Sequence, residues 1–184
     1  VGHRIVHGGK KYNQSTEIKS LEEKELQEIS DLAPLHNPYN LAGISSSNKY
    51  LPNTPDYAVF DTAFFKDLPL SSKVYPLPYE FFSEHGIQRF GFHGISHKFA
   101  SQSACQKIKK PFDKAKIISV HLGSGCSVSA IDKGQPIDTS MGFTPLDGLM
   151  MLTRSGSLDP GIILELLKNK ILSLEELENV LNLQ

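Results

Sequence analysis

Ile117-Ile118-Ser119-Val120-His121-Leu122-Gly123-Ser124-Gly125-Cys126-Ser127-Val128-Ser129-Ala130-Ile131 decides the fold class. Its first six residues, with Ile117, Ile118 and Val120 β-branched, read as a strand. Gly123-Ser124-Gly125 is a tight turn. From Cys126 to Ile131, Cys, Val and Ala or Ile alternate with Ser127 and Ser129, which is the period of a second strand. Asp132-Lys133-Gly134-Gln135 is the next turn, and Pro136-Ile137-Asp138 begins a third, edge-like strand. The order strand-turn-strand-turn-strand predicts an antiparallel meander and excludes a plain βαβ dinucleotide-binding unit.

Upstream, Ser96 is placed to cap a helix with Phe99, Ala100, Ala104, Cys105 and Ile108 on its apolar face, closed by Pro111. Tyr57–Phe60 reads as a buried strand ending at Asp61-Thr62, and Val1–Val6 as another, closed by His7-Gly8-Gly9. Between them, Ser20 and Glu23 form a capping-box pattern before a stripe of Leu21, Leu26, Ile29 and Ala33. Pro34 permits a bend, and His36-Asn37-Pro38 opens a second helical segment with Leu41, Ala42 and Ile44. Residues 45–55 read as loop, and residues 66–80, with Pro69, Pro76 and Pro78, as an irregular segment between domains. Downstream, Thr144-Pro145 predicts a helix start with Leu146, Leu149, Met150 and Leu152 on its buried side. Asp159-Pro160 predicts another, and Ser173 with Glu176 caps a last one.

The chain has 184 residues, enough for one domain or parts of two. Nineteen Lys and Arg balance twenty Asp and Glu, which argues against non-specific nucleic-acid binding. No apolar run is long enough for a membrane span, and Cys105 and Cys126 are too few for a disulfide scaffold, so a cytoplasmic protein is the expectation. The chain opens in strand-like sequence and closes within an amphipathic pattern, as a piece of a longer chain would.

Four features bear on chemistry. The Gly123–Gly125 turn brings the backbone close to any ligand and suits a phosphate, or it is an ordinary hairpin turn. Arg4 and Arg154, each among small or apolar residues, suit a carboxylate or a phosphoryl group, or surface ion pairs. Asp61 closes a strand, where a carboxylate reaches a ligand crevice, binds Mg²⁺, or caps a turn. His93, between Phe92 and Gly94, is placed to donate to a developing negative charge or to serve structure. The histidines and cysteines lack zinc spacing, Cys126 has no partner base, and Ser124 is not in a nucleophile elbow.

These segments occur together in one order: His3–Gly9 (HRIVHGG), Val59–Phe64 (VFDTAF), Arg89–His97 (RFGFHGISH), His121–Gly125 (HLGSG), Asp138–Leu149 (DTSMGFTPLDGL) and Thr153–Gly156 (TRSG). From His3 to about Gly161 the chain resembles the acetate kinase family, with propionate kinases close by. The resemblance implies an α/β fold of the acetate and sugar kinase/Hsp70/actin superfamily (ribonuclease H-like), present here as truncated parts of two domains. Residues 1–62 would be the C-terminal part of the first domain. Residues 63–184 would be the N-terminal part of the second, nucleotide-binding domain, with Lys116–Ile137 as its opening meander. It implies reversible phosphoryl transfer from ATP to acetate, giving acetyl phosphate and ADP with Mg²⁺. Arg4 and Arg154 would bind the carboxylate and the transferring group, and His93 would hydrogen-bond the transition state. Asp61 would lie near Mg²⁺ and acetate. His121, Leu122, Gly123, Ser124 and Gly125 would meet the nucleotide phosphates. A homodimer is implied, and the 184 residues alone are expected to have little or no turnover. Propionate or butyrate kinase activity, or a non-catalytic nucleotide-binding module, are the alternatives. Ser124 stands where the family usually has Asn, Leu152 where it has Gly and Ser157 where it has Asp, which bears on nucleotide affinity.

Overall fold

The structure, a computed structural model, describes residues 1–33 and 36–183. Two small sheets carry it. In the first, β1 (Gly2–Ile5) pairs in parallel with β3 (Tyr57–Phe60), and the short β2 (Thr16–Glu17) pairs antiparallel on the other side of β3. A parallel pair needs a crossover. Here it contains α1 (Ser20–Glu28) and α2 (Asn37–Tyr50). Ile5, Tyr12, Leu26, Leu41, Ile44, Ala58 and Phe60 form the core between these helices and the sheet.

The second sheet is the expected meander: β4 (Lys116–Leu122), β5 (Cys126–Asp132) and β6 (Gln135–Thr139), in that order and antiparallel. The side facing α5 (Gly94–Lys107) is not the apolar one. Ser119, Ser127 and Ser129 are buried, whereas Ile118, Val120 and Leu122 on the opposite face are exposed. Hydrophobicity alone would turn the sheet over. His97 on α5 bonds the hydroxyls of Ser119 and Ser127, and Ser129 donates to Thr139 Oγ1, which removes the cost of burying them.

Several local expectations are corrected. The N-cap of α1 is Lys19 rather than Ser20, and its backbone N–H donates to the Glu22 side chain, so the box lies one residue earlier. Residues 45–50, read as loop, continue α2, with Ile44 and Ser47 buried on one face. The proline-rich stretch 66–80 contains two short helices, α3 (Leu70–Lys73) and α4 (Tyr79–Ser83), each preceded by a proline in extended conformation. The cap of α5 is His93 rather than Ser96. The buried side of the helix is Gly94, His97, Ser101 and Cys105, while Phe99 and Ile108 are exposed. Thr144-Pro145 opens no helix: residues 144–159 are irregular, Met150 and Leu152 are exposed, and Met151 is buried. The expected bend at Pro34 lies outside the described residues.

Other readings hold. Asp159 caps α6 (Pro160–Lys168) by accepting from the Gly161 N–H, and Ser173 with Glu176 caps α7 (Leu174–Leu183) in both directions. A second core, of Val6, Ala33, Phe90, Phe92, Met141 and Met151, joins residues just after β1 to the segments flanking α5 and β6. Among the described residues no helix is long and apolar enough to cross a membrane.

Candidate active site

The site forms where the end of β3, the start of α5 and the β4–β5 turn meet. The register of the first sheet sets Arg4 beside Val59. Side chains two residues apart share a face, so Asp61 emerges on the side that Arg4 occupies. Arg4 Nε donates to Asp61 Oδ1 at 3.2 Å and to Oδ2 at 3.1 Å, and Nη2 donates to Oδ2 at 2.5 Å. The Asp61 side chain is 2% exposed and the Arg4 side chain 56%, so a buried carboxylate anchors a guanidinium whose outer part faces open space. Hydrogen bonding to Asp61 raises the Arg4 pKa above its ordinary value, against the effect of burial.

The Asp61 carbonyl accepts from the Gly94 N–H at 3.0 Å, which ties the first turn of α5 to the end of β3. A Cβ at Gly94 would lie 2.2 Å from that carbonyl oxygen, so only glycine permits the approach. His93, immediately before, has a left-handed backbone (φ 57°, ψ 22°), an uncommon conformation for a non-glycine residue. Its ring stacks on His121, with centroids 4.1 Å apart, and its Nδ1 bonds Ser127 Oγ at 2.8 Å. Burial pushes the His93 pKa down to about 3, helped by the charges of His121, Arg4, His97 and Arg154. Its ring is therefore neutral, with the charges of Arg4 and Arg154 both acting on it.

The turn joining β4 to β5 is tight: Gly123 N–H donates to Gly125 C=O. Gly125 is buried, and Leu122, Gly123 and Ser124 are exposed. A Cβ at Gly125 would lie 3.3 Å from Arg154 Nη2 and 3.4 Å from His93 Nε2, so this glycine borders both side chains. The segment carrying Arg154 folds over the turn, with Leu152 N–H donating to Ser124 C=O. Arg154 Nη1 donates to Pro145 C=O at 2.9 Å, and burial lowers the Arg154 pKa. Arg154 also lines an apolar cleft of about 850 Å³, walled by Phe143, Pro145 and residues of α7.

The structure thus brings together Arg4, Asp61, His93, Arg154, His121 and the 123–125 turn, which lie far apart in sequence. It adds partners that sequence reasoning missed. Ser127 and His97 stand behind His93, and Ser96 bonds His121 Nδ1 at 2.9 Å. The available signals were the serines alternating along 127–129 and the four-residue spacing of His93 and His97.

Asp61 contributes one carboxylate, and among the described residues no group of three or more His, Cys, Asp or Glu gathers to hold a metal ion. Mg²⁺ is commonly held by one or two carboxylates together with substrate phosphates and water. The donor set fits Mg²⁺ in that shared form and does not form a site on its own.

The chain is similar in sequence and in fold to known proteins. The chain is 51% identical over 182 residues to the acetate kinase of Halothermothrix orenii, covering 99% of this chain and 46% of that protein. It is 50% identical over 181 residues to that of Staphylococcus aureus, covering 98% and 45%. The chain therefore spans about half the length of the curated relatives it matches. Its structure superposes on a propionate kinase from Francisella tularensis with a TM-score of 0.93 (44% identity, 100% of this chain and 47% of that one). It superposes on the acetate kinase of Porphyromonas gingivalis with a TM-score of 0.90 (44% identity, 98% and 45%). The sequence model of the Acetokinase family matches residues 1–184, and the chain belongs to that family.

Proposed function

We propose that the protein carrying this chain transfers the terminal phosphoryl group of ATP reversibly to acetate, giving acetyl phosphate and ADP. The observation that supports this most is that His93 and Arg154 border Gly125 while Arg4, locked to the buried Asp61 carboxylate, lies near enough to His93 for its charge to help keep that ring neutral.

Phosphoryl transfer needs little covalent help from the protein, so positioning and charge stabilisation are what the residues must supply. Arg4 and Arg154 bind the substrate carboxylate and the equatorial oxygens of the transferring group, where a planar fork of donors suits both. His93, kept neutral by burial, donates a hydrogen bond to the same group without adding a charge. The His121–Gly125 turn meets the nucleotide phosphates, with Ser124 offering a shorter reach than an amide side chain. Asp61 orients Arg4 through its fork and would hold Mg²⁺ shared with the nucleotide. When bound, Mg²⁺ supplies neutralisation of phosphate charge. Asp61 thereby acts on the reaction largely through Arg4.

The reading extends to two α/β domains, residues 1–62 and 63–184 belonging to one each, to a cytoplasmic homodimer, and to little activity in the 184 residues alone. Propionate is the second reading, because the Francisella tularensis propionate kinase matches as well as the Porphyromonas gingivalis acetate kinase. One methylene in an apolar pocket is worth only roughly 1–3 kcal/mol, so both acids can be substrates.

The test is ATP- and Mg²⁺-dependent acyl phosphate formation by the full-length protein, trapped as hydroxamate, with acetate, propionate and butyrate. Acetate should give the highest kcat/KM. A higher value with propionate would reassign the substrate. Nucleotide binding with no product from any of the acids would refute the enzyme reading.

A further inference from the structure

We propose that Ser119, His97 and Ser127 form a one-way hydrogen-bond relay that fixes His93 as its Nε2–H tautomer, so that its one N–H faces the phosphoryl site beside Gly125 and Arg154. The proposal rests on the reading of that site given above and assigns positioning residues to it.

The relay is continuous. Ser119 Oγ lies 2.9 Å from His97 Nδ1, His97 Nε2 lies 2.7 Å from Ser127 Oγ, and Ser127 Oγ lies 2.8 Å from His93 Nδ1. Its interior is buried: His97 and Ser127 are 0% exposed and Ser119 is 7% exposed. The fold builds it from two elements. Ser119 and Ser127 stand on the α5-facing side of adjacent antiparallel strands, and His93 and His97 lie one turn apart where α5 crosses them.

Its direction follows from counting protons. Each neutral imidazole has one donor and one acceptor, and each serine hydroxyl has a single hydrogen to donate. Among the described residues, the one partner of the Ser119 hydroxyl is His97 Nδ1. If Nδ1 carried the proton, Ser119 O–H would be a buried donor with no acceptor, which native structures avoid. Ser119 therefore donates to Nδ1, and the proton of His97 sits on Nε2 and goes to Ser127 Oγ. Ser127, accepting there, spends its own hydrogen on His93 Nδ1. His93 is left with its proton on Nε2, the edge that borders Gly125 and Arg154 Nη2. Both rings are neutral at pH 7, since burial lowers His97 to about 4 and His93 to about 3. Run in reverse, the chain leaves Ser119 without an acceptor and points a lone pair at an incoming anion.

The experiment is long-range ¹H–¹⁵N spectroscopy of ring-labelled histidine in the full-length protein at neutral pH, with assignments from His93→Gln and His97→Gln. His93 and His97 should both appear as neutral Nε2–H tautomers. Ser127→Ala should return His93 to a tautomer mixture and lower kcat about 5- to 10-fold with KM for ATP unchanged, the scale of one neutral hydrogen bond. Ser127→Thr, which keeps the hydroxyl, should restore both. An Nδ1–H tautomer at either histidine in the wild type overturns the relay, whether or not Ser127→Ala folds. So does a Ser127→Ala protein whose His93 tautomer is unchanged. Because the spectrum needs no turnover, a protein inactive towards all three acids would refute the proposed function and still report on the relay. An active protein with the wrong tautomer would refute the relay alone.

Discussion

Truncating Arg4 to alanine removes three hydrogen bonds and the one guanidinium that forks the Asp61 carboxylate. Removing one partner of a fully buried ion pair costs roughly 3–5 kcal/mol, because the other charge stays buried and unpaired. Here the Arg4 side chain is 56% exposed, so water can enter the space it vacates and solvate part of the charge. The expected loss of stability is therefore nearer about 2 kcal/mol. Arg4→Lys keeps the charge without the two-pronged geometry and should lose about 1 kcal/mol. Urea unfolding of the full-length protein, followed by circular dichroism, measures these losses. A double-mutant cycle with Asp61→Asn isolates the pair, with an expected coupling of about 2 kcal/mol. Turnover should fall by about 10³ in Arg4→Ala, the scale set by losing one preorganised charge-stabilising donor. A stability within about 0.5 kcal/mol of wild type, together with coupling near zero, would refute the claim that Asp61 acts through Arg4.

Three other outcomes are expected. His7 and His97 are pushed down to about 4 and His93 to about 3, each chiefly by burial, so the unfolded chain binds protons that the folded chain does not. Stability should be insensitive to these groups above about pH 6.5 and should fall by up to about 3 kcal/mol per histidine as pH drops from there to about 4. Denaturant midpoints that stay flat between pH 6.5 and 4.5 would contradict it. Gly94→Ala places a methyl 2.2 Å from the Asp61 carbonyl oxygen and should cost about 3 kcal/mol, read as a drop in melting temperature; an unshifted melt would show that the junction relaxes freely. Met151→Ala should cost about 3 kcal/mol and Leu152→Ala under about 0.5 kcal/mol, since the first side chain is 8% exposed and the second 77%. Equal losses would refute the placement of that segment.

The meander was legible because two turns with strong glycine signals separate strands of clear period. Its orientation was not. Burial of Ser119 and Ser127 depends on His97, 22 and 30 residues away in sequence, which alternation along one strand does not encode. The same distance effect hid the cap of α5. Ser96 fits a capping rule, but the tie from Gly94 to the Asp61 carbonyl starts the helix earlier and frees the Ser96 hydroxyl for His121. Thr144-Pro145 carries a helix-start signal that the tertiary structure overrides: Arg154 bonds the Pro145 carbonyl and Met151 enters the second core. For the site, sequence order supplied Arg4, Asp61, His93, Arg154 and the turn through family motifs. The fork between Arg4 and Asp61 became visible only once β1 and β3 were aligned.

The central claim is that the cluster around Gly125 performs the transfer, and the kcat of full-length Arg154→Ala with ATP, Mg²⁺ and acetate, set against wild type, tests it most directly. Arg154 borders Gly125 and, among the described residues, its side chain donates a hydrogen bond only to the Pro145 carbonyl, so its removal should leave the fold intact. The expected result is a loss of at least about 100-fold in kcat with an unchanged melting temperature. Turnover within about twofold of wild type would contradict the account, because a barrier change that small leaves no charge stabilisation for Arg154 to provide.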